Sequence, residues 1–339
     1  MKSLAITLGS LALVACGGGG GGGSTAPATT TTSSTTAALS STNQTVVAQD
    51  AASSALMVLS GSQSVTGAQA TDESVLFSLT RTELGKLPQY LADAKANATL
   101  AGAVASKTYS CSVSGTVTLS VTDADNNGVV SAGDSITLSG SSCQDSTGTT
   151  NGSYTFAFNS LTGSFGVAPS SFSVTVTYNA LTFTSASGLF SASLNGSLSL
   201  SETFTGTNLY SDTISTPSLT SSATYSGQTR TRTLSSYSAT STRLPDTTTT
   251  AGYLHSYTVA GTLTSSALSS QSVTFSTPKA LVTYGTDAYP TSGSFLVIGA
   301  NNTQVKLTAL TNTQVSQELD ANGDGAFETS STVLWNTIL

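Results

Sequence analysis

Charge is what this chain has least of. Lys, Arg, Asp and Glu together make 8% of its residues, against about 25% in an average globular protein, and Ser and Thr occupy the solvent positions instead. The net charge of -7 and a Lys/Arg complement of only ten, nowhere clustered, remove the electrostatic basis for binding nucleic acid, so no nucleic-acid partner is expected. One histidine and three cysteines do not furnish the N/S ligand set of an ordinary zinc site. His255 lies in a strand-like run, Tyr253 to Tyr257, and no G-x-S-x-G elbow accompanies it, so it reads as a plain strand histidine. Glu202, Asp212 and Asp246 are the carboxylates left for acid–base work. Sequence spacing says nothing of their separation in space, so they receive no role and no enzyme activity is expected.

What is abundant is period-two alternation, the mark of strands with one buried face. It runs through Tyr154, Phe156 and Phe158, then Phe172, Val174, Val176 and Tyr178, then Phe190, Ala192, Leu194, Leu198, Leu200 and Phe204. It resumes in 253–263, 273–275, 295–298, 305–310 and 313–319. At Leu194-Asn195-Gly196 a three-residue turn is expected, setting Ala192 opposite Leu198 and Phe190 opposite Leu200. Ahead of the strands, Val47, Ala51, Ala55, Val58 and Leu59 recur at helical spacing with Gly61 as a stop. A second helical stretch carries Leu76, Leu79, Leu84 and Leu87, and Pro88 opens an Ala-rich piece reaching about Ala105. The expected fold is mainly β: a large antiparallel sheet (half-barrel, barrel or sandwich) over residues 107–339, with N-terminal helices over 46–106 covering part of it.

The start of the chain has its own pattern. Met1 and Lys2 precede an apolar run from Leu4 to Val14, too short to span a bilayer. Leu13-Val14-Ala15-Cys16 resembles the lipobox of bacterial lipoproteins. The resemblance implies a signal peptide over 1–15, cleavage before Cys16, a diacylglycerol on its sulfur and a membrane partner reached through that lipid. Gly17, where the family's inner-membrane retention signal has Asp, points to the outer membrane. Residues 16–45, a glycine run followed by a Ser/Thr/Ala tract, read as a flexible tether. With Cys16 lipidated, Cys111 and Cys143 remain to pair.

Those two cysteines bracket a hairpin. Val117 opposite Leu138 and Leu119 opposite Ile136 would match the apolar faces, and one extra residue in the first strand at Gly115 would reconcile that register with the cysteines. The connection holds Asp123, Asp125, Asn127, Gly128, Ser131 and Asp134 at positions 1, 3, 5, 6, 9 and 12 of a calcium loop, with the Val129 carbonyl at position 7. Ending on Asp, it resembles the dockerin variant of the EF-hand loop, although it joins strands rather than preceding a helix. Near the C-terminus Asp320, Asn322, Asp324, Gly325, Ala326 and Glu328 repeat positions 1, 3, 5, 6, 7 and 9, but position 12 is Ser331, so a weaker site is expected there. Asp, Asn and Gly are also ordinary turn formers, and the alternative is two hairpin turns without calcium.

Together these features point to an outer-membrane-anchored lipoprotein whose β domain is stabilised by calcium and a disulfide, with a binding or structural role. The alternative is a calcium-dependent surface adhesin. A deep apolar cavity holding an apolar ligand would favour a carrier; flat Thr/Tyr-rich faces would favour the adhesin and a surface partner. A hydrolase and a membrane-spanning barrel are the remaining, lesser readings.

Overall fold

Fourteen strands hydrogen-bond in sequence order, each antiparallel to the one before it, in a single sheet β1 to β14. The computed structural model describes residues 35–62, 74–97, 104–206, 209–285 and 287–339. The expected signal peptide, Cys16 and the tether as far as residue 34 lie outside these.

Among the described residues three helices precede the sheet: α1 (Gln44–Ser62), α2 (Ser74–Leu84) and α3 (Leu87–Asn97). They follow the apolar spacing, with two differences. Residues 35–40, expected in the tether, are built into the fold: Ala37 and Leu39 are buried and Thr36 bridges Ser272. The Ala-rich helix ends at Asn97, and Ala105 already belongs to β1 (Val104–Ser110), because Val104 to Ser110 pair residue by residue with β2 (Ser114–Thr122). Next come β3 (Ser135–Gln144), β4 (Gly148–Ser164), β5 (Val167–Ser185), β6 (Phe190–Gly206), β7 (Leu209–Tyr225), β8 (Gln228–Pro245), β9 (Tyr253–Ser265) and β10 (Gln271–Tyr284). Four shorter strands finish the sheet: β11 (Ser292–Ile298), β12 (Gln304–Ala309), β13 (Gln314–Asp320) and β14 (Thr329–Leu334).

The turn expected at Leu194-Asn195-Gly196 does not exist. β6 runs straight through it, Ala192 pairing with Phe183 and Ala223, and Leu198 with Val176. Gly196 (φ +122) instead faces a bulge on β7, and a Cβ there would sit 2.5 Å from the Ser218 carbonyl oxygen. The β2–β3 register is also two residues from expectation: Leu119 pairs with Leu138 and Val117 with Gly140. A two-residue slip keeps every side chain on its own face, so alternation alone cannot detect it. The bulge does lie at Gly115, but the extra residue is on β3, where Ser142 adopts φ 46. A Cβ on Gly115 would stand 1.9 Å from the Ser142 carbonyl oxygen.

Similar irregularities recur across the sheet, at Ala180 on β5 and Ser236 on β8, each with φ between 46 and 48. Such a belt of bulges bends a sheet and strengthens its twist. On the inner face α1 to α3 pack into one hydrophobic core with the strands, closed by Trp335 and Ile338 at the C-terminus. Among the described residues there is one sheet and no second one to make a sandwich, and β1 and β14 each pair on one side only. The outer face carries Ser and Thr, with cross-strand hydroxyl pairs such as Thr137 with Thr155 at 2.8 Å and Thr240 with Thr258 at 2.7 Å.

In a sequential meander the loops alternate between two ends. The β2–β3, β4–β5, β6–β7 and β8–β9 connections lie at one end, termed distal here. The β9–β10, β11–β12 and β13–β14 connections lie at the proximal end, where residues 35–40 bond to Ser272 and Ala300.

Candidate metal centres and an inner-face polar row

Cys111 and Cys143 are bonded, with Cα atoms 5.4 Å apart. Cys111 precedes β2 and donates its N–H to the Gly115 carbonyl, so the bridge fastens the β1–β2 connection to the end of β3 beside the bulge. The first acidic loop therefore lies at the other end of the same two strands.

In that loop Asp123 accepts from the N–H groups of Asn127 (3.1 Å) and Gly128 (2.7 Å). Asn127 Oδ1 accepts from Val129 N–H at 2.7 Å. Ser131 Oγ donates to Asp125 and Asp134, and Asp134, buried to 1% exposure, closes the loop by accepting from Ala124 N–H at 2.9 Å. Carboxylate oxygens of Asp123, Asp125 and Asp134 lie within 4.8 Å of one another. Against a desolvation effect that acts the other way, hydrogen bonds from Asn127 and Ser131 hold Asp125 below the usual carboxylate range.

The second loop shares the main bonds of this geometry, position 1 accepting from the N–H of position 6 and a closing carboxylate from that of position 2. Asp320, fully buried, accepts from Gly323 and Gly325 N–H at 2.6 and 2.9 Å. Asn322 Oδ1 accepts from Asp324 N–H and Asp324 Oδ1 from Ala326 N–H, both at 2.8 Å. Glu328 Oε2 accepts from Ala321 N–H at 2.9 Å, the bond that Asp134 makes in the first loop. Oxygens of Asp320, Asp324 and Glu328 again lie within 4.8 Å of one another. The closing carboxylate is therefore the longer Glu side chain at position 9. Ser331, at position 12, is an exposed β14 residue paired with Gln317, so the supposed missing ligand lies outside the loop. Each donor set is all oxygen with three carboxylates, which suits calcium and not a soft metal.

Sequence reasoning left a second cluster unassembled. Toward the distal end of the inner face, Ser170, Phe204, Tyr210, Arg243, His255 and Thr283 are successive cross-strand partners from β5 to β10. One step inward, Phe172, Glu202, Asp212, Ser241, Tyr257 and Leu281 form the parallel row. Glu202 and Asp212, which the sequence could not relate, are thus direct neighbours and both buried. Asp246 stays apart, in the β8–β9 loop, bonded to Thr248. The Arg243 guanidinium lies 3.6 Å from the Tyr253 ring centroid and 5.7 Å from that of Tyr210. Burial, and then the neighbouring Arg243 charge, push His255 down to about 4, so its ring is neutral at neutral pH. The only sequence signal for this row was the placing of charged residues at inward-facing positions of alternating strands.

No family model, curated protein or solved structure matches this chain.

Proposed function

We propose that the protein is a lipid-anchored component of a bacterial outer membrane, held through Cys16, whose β domain is stiffened by calcium at both acidic loops and serves a binding role. The observation that carries the calcium part is the matched internal geometry of two loops with different sequences. In both, position 1 accepts from the N–H of position 6, and a buried or reaching carboxylate accepts from the N–H of position 2. Three carboxylates so close repel by about 3 kcal/mol per pair at an effective dielectric near 20, and a divalent cation turns that cost into attraction. The anchor rests on the Leu13-Val14-Ala15-Cys16 motif.

A carrier of apolar ligands is less well supported. Helices α1 to α3 pack on the inner face, and an apolar cavity between them and the strands, lined by Val58, Phe77, Tyr178, Leu198, Leu200 and Ile214, measures about 40 Å³, room for a few waters and not for an acyl chain. The uncharged hydroxyl rows of the outer face favour the second reading, a calcium-dependent surface adhesin. They also speak against a membrane-spanning barrel, whose apolar residues would face outward.

The test has two arms. Intact mass of membrane-extracted protein should show a chain beginning at acylated Cys16; an unprocessed Met1 start would overturn the anchor. Calcium should raise the melting temperature and chelator lower it, since a site a hundredfold saturated stabilises by about 2.7 kcal/mol. No movement with either would reduce both loops to turns.

A further inference from the structure

The two ends of the sheet differ in what they leave in solvent. The β10–β11 and β12–β13 connections also fall at the distal end, and β14 finishes there. Ten large apolar residues are exposed among the described residues, and six stand at that end: Val129, Val167, Leu244, Tyr284, Leu310 and Leu334, at 38% to 61%. Every distal connection has one in it or beside it except β6–β7, whose residues 207 and 208 lie outside the described set and precede half-buried Leu209. The seven proximal connections carry three, Val113, Leu189 and Tyr225. Solitary exposed apolar residues are ordinary, whereas a row of them marks a contact surface.

The centre of the row is a continuous patch. The β4–β5 tip reads Phe165-Gly166-Val167-Ala168-Pro169, and all but the half-buried Phe165 are exposed. Turns in water favour Asn, Asp, Ser and Gly, and an exposed apolar run is retained where it meets a partner. Rings connect this tip to its neighbours, with centroids 4.7 Å apart from Phe165 to Phe172, 6.4 Å from Phe172 to Phe204 and 6.0 Å from Phe204 to Tyr210. Arg243 then lies over both Tyr210 and Tyr253, with exposed Leu244 beside it.

The make-up of this rim defines the partner. Successive distal hairpins are about 10 Å apart across the sheet, so their tips form a spaced row and not a groove that would grip a peptide. A fluid apolar phase accepts such side chains wherever they stand. Behind the tips come rings with a polar end, Tyr210 and Tyr253, and a long cation stacked on them, which suits the boundary between acyl chains and headgroups. The distal connections hold Asp123, Asp125, Asp134, Asp246 and Asp287 and no Lys or Arg, which disfavours an anionic surface and leaves a zwitterionic one.

We propose that the distal rim of β4 to β9 inserts into the interfacial layer of a zwitterionic phospholipid bilayer, with Val167 and Leu244 entering the acyl region and Tyr210, Tyr253 and Arg243 among the headgroups. This is a membrane contact apart from the lipid on Cys16, and it does not rest on that lipid. The two are compatible. Cys16 and Thr35 are nineteen residues apart, a reach of at most about 65 Å, while β5, of 19 residues, is about 60 Å long.

The test uses full-length protein in phosphatidylcholine vesicles that carry a spin-labelled acyl chain. An environment-sensitive fluorophore is placed on Thr205→Cys at the distal end or on Ser187→Cys at the proximal end, and unsubstituted protein taken through the same labelling gives the background from Cys16. The label at position 205 should be blue-shifted and quenched, and that at position 187 should not. Val167→Asp combined with Leu244→Asp, both at exposed positions, should abolish the quenching at position 205 and leave the circular dichroism unchanged. Equal quenching at the two positions, none at position 205, or quenching indifferent to the double change would overturn the proposal. So would self-association in sedimentation that the double change abolishes, with no quenching, since a second copy would then occupy the rim. An unprocessed Met1 start in the mass measurement would remove the anchor and leave this comparison of the two ends intact.

Discussion

Asp50 on α1 accepts a hydrogen bond from Arg232 Nε on β8 at 2.7 Å, and both residues are buried, at 2% and 3% exposure. Arg230 adds a looser contact at 3.9 Å. Alongside it, Tyr237 donates to the Ala55 carbonyl at 2.7 Å. These bonds pin the helix to the middle of the sheet in one register.

Removing the carboxylate should therefore be costly. Asp50→Ala leaves Arg232 charged in the core, and a loss of about 3–5 kcal/mol is expected in chemical denaturation. A loss below about 1 kcal/mol would mean that the pair is solvated in solution.

The second acidic loop separates the two candidate closing residues cleanly. Glu328→Ala should abolish that loop's share of the calcium-induced rise in melting temperature, whereas Ser331→Ala, in exposed β14, should leave it intact. The first loop's share should persist in both. Equal effects of the two substitutions would contradict the assignment of Glu328.

The bond between Cys111 and Cys143 spans 32 residues, a closure for which chain entropy predicts about 3–4 kcal/mol. Mild reduction, or the double change Cys111→Ser with Cys143→Ser, should lower stability by that amount and loosen the β1–β2 connection first. Hydrogen exchange at Val113 and Thr116 would report it.

His255 predicts a pH dependence of definite sign. Its folded-state pKa is depressed to about 4, below the value of about 6.5 for an unfolded histidine. Between these values the unfolded chain binds the extra proton, so stability should fall as pH drops through about 6.5 and level off near 4. Protonation would set a second cation beside Arg243, with Tyr210, Tyr253 and the carboxylates of Glu202 and Asp212 as the surrounding groups. Allowing for screening near the rim of the sheet, the change should be about 2 kcal/mol. His255→Asn should flatten the profile over that interval, and an unchanged profile would show that another group is responsible.

Strand identity was legible because alternation over five or more residues has no other common cause, as in Phe172 to Tyr178. Pairing was less so. Gly196 between two apolar runs fits a turn as well as a continuous strand, and only the unbroken even-numbered phase from Ala192 to Leu200 distinguishes them. The bulges, in contrast, did leave a trace: the buried series steps by three residues from Tyr178 to Leu181, from Thr216 to Leu219 and from Leu234 to Tyr237. The acidic loops were visible as a spacing, yet the role of Glu328 was not, since side-chain reach does not register in a position count. The row containing Arg243 and His255 was hidden because its members come from separate strands, and cross-strand register sets their adjacency.

The sheet's sequential order has a bearing on how the chain folds. Each strand needs only its predecessor, so β1 to β14 can grow hairpin by hairpin at small loop-closure cost. The helix α1 is different, because its anchoring partners on β8 lie 182 residues further along. During synthesis from the N-terminus its apolar face is finished long before the surface that covers it. Until β8 emerges, that face has no surface to cover it, and Asp50, placed within it, has yet to meet Arg232.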